Sequence, residues 1–160
     1  MSVRFGTHRN AVLSAWRDAA SVGEVEELQA RATKIVVSEQ GAVGLILLVL
    51  DGVKPSPKPA RDAAMRMLRT LGTNVAYVAI VIEGEGFGTA ALRAMFNGIA
   101  VALRPGFPWR IVGRLDDLVE WQPMGQLATP RDMYELEQTF SRLEDEVRSA
   151  PQRRPRSAEG

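Results

Sequence analysis

Residues 43–50 read Val-Gly-Leu-Ile-Leu-Leu-Val-Leu, and the reading of this stretch decides the fold. The run is apolar without polar alternation and far shorter than the roughly 18 residues of a membrane-spanning helix, so it predicts a strand covered on both faces. Such a strand belongs at the centre of a sheet with helices packed above and below it.

Toward the N-terminus, Val3–Thr7 and Ala11–Trp16 flank the turn-prone His8-Arg9-Asn10 and predict a hairpin. Ser21 and Glu24 form a capping-box pattern, and Val22, Val25, Leu28, Ala32, Ile35 and Val36 recur at helical spacing until Gly41. Toward the C-terminus, three prolines in Asp51-Gly-Val-Lys-Pro-Ser-Pro-Lys-Pro exclude regular structure before Ala60, Ala64, Met67, Leu68 and Leu71 restart the helical period, which Gly72 ends. Tyr77–Ile82 predicts a second apolar strand, and Glu83-Gly-Glu-Gly-Phe-Gly leads into a helix near Thr89–Leu103. Pro105-Gly-Phe-Pro then breaks the chain before a strand at Trp109–Val112 and a short helix at Asp116–Trp121. Strands alternating with helices imply crossover units, so the fold class is α/β: a mostly parallel sheet with an N-terminal hairpin, flanked by helices. Thr129-Pro130 predicts the start of a C-terminal helix, with Asp132 placed to favour its dipole. Its residues Met133, Leu136, Phe140, Leu143 and Val147 form a seam barely two heptads long. The expected organisation is a domain over 1–127, a helix over 128–150, and a disordered basic tail over 151–160.

Composition narrows the function. The 160 residues contain no cysteine, which excludes disulfides, thiol catalysis and cysteine-built zinc sites. The lone histidine, His8, leaves imidazole-rich metal sites out of reach and is expected on the surface of a polar turn. Net charge is +1, but the tail from Pro151 carries +2, so residues 1–150 sum to −1. That is no footprint for nucleic acid. The internal basic group Lys54, Lys58, Arg61, Arg66 and Arg69 lacks interleaved aromatics and reads as the solvated face of a helix, with Asp62 and Arg66 placed to pair. Without a secretory segment or long apolar run, the chain is expected to be soluble and cytoplasmic, with no cofactor and no membrane partner.

The order of elements resembles the STAS domain, the fold of anti-sigma-factor antagonists, over roughly residues 3–122. In detail, WRDAASVGEVEEL (16–28), VLDG (49–52), VIEGEGFGTAALRAMFNGIA (81–100) and VGRLDDLVEW (112–121) are similar to uncharacterised STAS-like proteins of myxobacteria and related bacteria. The resemblance implies a regulatory binding module, not an enzyme. In antagonists of this fold a phosphorylatable Ser or Thr follows a buried strand at the start of the next helix, and Ser56 occupies the nearest position here. The Asp-Ser-Ser-Gly-like turn of the family is replaced by Pro-Ser-Pro-Lys-Pro. A phosphate on Ser56 would meet a helix N-terminus and Lys54, Lys58 and Arg61.

Two readings follow. In the first, the Asp51–Pro59 loop and the helix after it bind a protein partner through Lys54, Ser56, Lys58 and Arg61. In the second, a small-molecule or catalytic site forms at the carboxyl edge of the sheet from Asp51, Glu83 and the Gly84, Gly86, Gly88 turn. That turn departs from a dinucleotide fingerprint and is expected to be a permissive loop in which Glu85 helps cap the next helix. A concave edge would favour the second reading, and an edge filled by Phe87 would oppose it. The helix near Thr89–Leu103 is apolar on nearly all sides, which predicts either cover by the C-terminal helix or a homodimer through one of these two helices.

Overall fold

The computed structural model describes residues 2–119, 121, 123 and 130–151. A five-stranded sheet runs in the order β1 (Val3–His8), β2 (Ala11–Trp16), β3 (Val43–Val49), β4 (Val75–Ile82) and β5 (Trp109–Val112). β1 and β2 form the antiparallel hairpin, and every later pairing is parallel. The apolar run therefore lies at the centre of the sheet, as its lack of polar alternation predicts. Each parallel pair is joined by one helix: α1 (Val22–Glu39), α2 (Lys58–Leu71) and α3 (Phe87–Leu103).

Because the strands follow in sequential order and crossovers share one hand, all three helices fall on the same face of the sheet. Val25 of α1, Met67 of α2 and Leu92 of α3 accordingly line one space together with the strand residues Leu45, Leu47 and Ile80. The opposite face is left for α4 (Pro130–Ser149), whose seam Met133, Leu136, Phe140, Leu143 and Val147 is buried against β1 and β2. A Cβ on Gly6 of β1 would stand 3.3 Å from both Leu143 and Thr139, so the missing side chain lets α4 approach the strand closely. Further along this face, Gly44 leaves room for the Tyr77 ring, which meets Trp121 edge-on at 5.8 Å between centroids.

Start signals in the sequence are realised as hydrogen bonds. Ser21 caps α1 with a complete capping box, and Glu24 also accepts from the Ser2 backbone at 3.0 Å and from its hydroxyl at 2.6 Å. Burial raises the cost of charge on Glu24, but these hydrogen bonds more than offset it and hold its carboxyl below the ordinary glutamate range. The expected short helix after β5 is a 3₁₀ turn at Leu115–Leu118, with Leu118 fully buried. The 127/128 boundary, the Thr129 cap and residues 152–160 of the tail lie outside the described residues.

Four expectations are corrected. His8 is buried at the end of β1, with Nε2 3.7 Å from the Asp132 carboxylate of α4. Pairing with β2 carries it under the helix, a tertiary placement that the polar turn conceals. Asp62 is paired with Lys58 at 2.7 Å, not with Arg66. The N-cap of α3 is Gly86, with no side-chain cap from Glu85. Finally, α4 packs on the other side of the sheet and does not cover α3, whose Val101 is 75% exposed.

Candidate functional site

Both sites anticipated from the sequence lie at the carboxyl ends of β3 and β4. Parallel pairing of Val49 with Ile82 brings the two strand ends level, and the Glu83 N–H donates to the Val49 carbonyl at 3.0 Å. Asp51 and Gly84 are consequently in contact. Gly84 has φ +90°, and any Cβ there would collide with the Asp51 carboxylate, so this position requires glycine twice over. Gly86 shares the positive φ but stands in open space, as does Gly88. The structure therefore unites Asp51, Glu83 and Gly84 and leaves Gly86 and Gly88 outside the group.

Phe87 does not fill the edge, since 93% of it is exposed. A cleft of about 460 Å3 lies beside Glu83 and Gly84, between the turn at Arg114–Asp116 and the α4 residues Glu137, Ser141 and Glu144. Its charged wall residues are Glu83, Asp116, Glu137 and Glu144 against Arg114, set among the apolar Leu48, Val81, Leu115 and Phe140. Burial, with Glu144 and Asp51 nearby, raises the Glu83 carboxyl above its ordinary range, while Arg148 at 3.8 Å works in the opposite direction. A concave edge left open by Phe87 is what the small-molecule reading requires, but no nucleophile–base pair converges there among the described residues, so the geometry favours binding over catalysis.

The Asp51–Pro59 loop is built differently. Val53 is buried and anchors it to the core, whereas Lys54, Pro55, Pro57, Lys58 and Pro59 are exposed. Ser56 lies half-buried at the junction of three elements. Its Oγ accepts from the Ala20 N–H at 3.2 Å, and its own N–H donates to the Met95 Sδ of α3 at 3.3 Å. Helix α2 starts at Lys58, its N-cap is Pro57 and no side chain caps it. Lys58 is held by Asp62, while Lys54 and Arg61 enter no ion pair among the described residues. Two cations thus stand near Ser56 without a direct ion pair among the described residues, although Asp62 lies within the field of Arg61.

Two further features escaped the sequence reading. Behind the loop, between the sheet and α1–α3, lies an apolar cavity of about 90 Å3 whose mouth carries Lys54, Ser56 and Arg61. Its walls come from seven elements, so no local sequence signal could have revealed it. On the other face, His8, Asp132 and Glu135 bring potential ligand atoms within 4.8 Å of one another. Arg9 already contacts Asp132 at 2.7 Å and Arg131 contacts Glu135 at 3.1 Å, so this group carries no excess negative charge for a cation.

No helix among the described residues is long and apolar enough to cross a membrane. No family model matches the chain, and no curated protein does. Among solved structures, the chain is similar to a protein of Shewanella loihica described as an uncharacterised member of the DUF3478 family with a SpoIIAA-like fold. The two are 10% identical, the match covers 75% of this chain and 93% of the other, and the TM-score is 0.54. A sequential sheet opened by a hairpin, three crossover helices on one face and this likeness together give the chain a SpoIIAA-like, STAS-type fold.

Proposed function

We propose that this domain is a regulatory protein-binding module that reads its partner through the Asp51–Pro59 loop and the first turn of α2. The observation that carries the reading is the pinned loop: Val53 and Ser56 fix its path while Lys54 and Lys58 remain exposed beside Arg61. A loop already held in one conformation loses little entropy on binding. Phosphorylation of Ser56 would add nearly two negative charges beside Lys54 and Arg61 and replace the hydroxyl that accepts from the Ala20 N–H with a bulkier phosphate ester, altering both the charge and the seating of the surface.

The test is affinity capture from the source cell with the intact chain, the K54E/K58E/R61E variant and a control with reversed charges on α4, R131E/R142E. A partner retained by the wild type and the control but lost by the loop variant is the expected result. Equal capture by all three overturns the reading. Mass spectrometry of Ser56 from native cells tests the switch: a phosphate is expected, and its absence at full coverage of the peptide removes that part of the proposal.

The exposed face of α3 favours self-association as a second reading. Phe87 and Val101 project from it, and the seam of α4 is already used within the chain. Light scattering during size-exclusion chromatography should show a dimer that V101E dissociates. A wild-type monomer at all concentrations rules it out.

A further inference from the structure

The cavity behind the loop has properties that the partner surface does not use. Protein interiors are packed with few voids larger than a water molecule, so a space of about 90 Å3 that opens between the sheet and α1–α3 is large enough to take a small apolar group. Its walls are almost entirely carbon and sulfur, including Leu45, Met67, Leu92, Met95 and the rings of Trp16 and Trp109. Water has too few partners there, whereas apolar cavities of this kind stay dry and take hydrocarbon.

Most of the polar groups around it are hydrogen-bond donors or cations. The Trp109 indole N–H is buried with no acceptor among the described residues. The Ser56 N–H at the mouth has only a thioether sulfur, a weak acceptor. Lys54 and Arg61 stand at the same mouth and enter no direct ion pair among the described residues. The one carboxylate on the lining, Asp18, lies 3.8 Å from Arg17 and is balanced by it. The site therefore offers donors and positive charge around an apolar interior, the complement of a carboxylate on a hydrocarbon chain.

Size sets the length of that chain. A cavity of about 150 Å3 takes benzene, so this one suits about four carbons before the chain must leave through the mouth. We propose that the cavity between the sheet and α1–α3 binds a short-chain aliphatic carboxylate, its hydrocarbon among Leu45, Met67, Leu92 and Met95 and its carboxylate at Lys54 and Arg61. The proposal does not depend on the protein-partner reading and is tested without any partner.

Purified full-length protein is titrated at constant ionic strength with acetate, propionate, butyrate, hexanoate and octanoate, and with butyramide. The readout is the change in tryptophan fluorescence, with Trp16 and Trp109 on the cavity wall and Trp121 away from it as a constant background. Saturable binding is expected, tightening about fourfold per methylene up to butyrate and levelling off between butyrate and octanoate. Butyramide, A64L, which fills the cavity from α2, and K54E/R61E at its mouth should each weaken binding at least tenfold. A melting curve confirms that each variant is folded, and the mouth variant carries the test if A64L is not. No saturable signal at 100 mM butyrate, affinity that rises steadily through octanoate, or butyramide binding as tightly as butyrate overturns the assignment.

Discussion

Helices α3 and α4 are seventeen and twenty residues long, and they invert the expected relation between hydrophobicity and burial. α3 is apolar on almost every side yet buries only Leu92 and Ile99. α4 is rich in charge yet buries the whole of its seam, from Met133 to Val147. The difference lies in what each helix is offered. Crossover topology crowds three helices onto one face, with α3 toward the edge where β5 is four residues long. α4 alone packs across the hairpin on the other face, where Gly6 lets it approach closely. An amphipathic stripe on an open sheet face is fully used, whereas general apolarity at an edge is not.

The comparison is tested most severely by truncating one side chain on each helix. Leu143→Ala, at a position 1% exposed, should cost about 3–4 kcal/mol, within the range for buried leucines. Val101→Ala on α3 should change stability by less than about 0.5 kcal/mol. Urea unfolding of both variants reads the difference directly. Equal losses would mean that the outer face of α3 is buried in solution.

A smaller effect separates the polar anchoring of the two helices. Asp132 in the first turn of α4 is 2% exposed and receives Arg9 at 2.7 Å, while the first turn of α3 has no side-chain cap and no acidic residue. Asp132→Asn should cost about 1–3 kcal/mol by weakening a charge-assisted hydrogen bond in a buried setting. Unchanged unfolding in urea would show that the seam alone docks α4.

These two helices also mark how far the sequence could be read. Element type and order were legible because each rests on local signals: the unbroken apolar run of β3, the Ser21–Glu24 box, the prolines before α2 and the seam of α4. Which helix would cover which surface was not, since apolar residues on α3 state a preference for burial without naming a partner. His8 follows the same logic. Its flanks, Arg9 and Asn10, describe a turn, but strand pairing with Ala11 and the arrival of Asp132 from 124 residues away decide its burial. At the candidate site, Asp51 and Glu83 were placed together by the rule that parallel strands end level. The contribution of α4 to that edge depends on tertiary docking and could not be read locally.

The smallest effect lies where α4 meets the sheet edge. Glu83 is raised above its ordinary value of 4.5 chiefly by burial, then by Glu144 and Asp51, with Arg148 opposing. A carboxyl raised in the folded state favours folding below its unfolded value, and that contribution is lost as pH rises through the folded value. At neutral pH the charged Glu83 is therefore a small liability. Arg148 offers little compensation, being held already by Glu144 at 2.7 Å. Glu83→Gln should accordingly raise stability at pH 7 by less than about 0.5 kcal/mol, the group being a third exposed, and the gain should vanish toward pH 4. Urea midpoints at the two pH values measure it. A loss of stability at pH 7 would make the contact with Arg148 dominant and α4 ionically anchored at both ends, at Asp132 and at Arg148, in sharper contrast to α3.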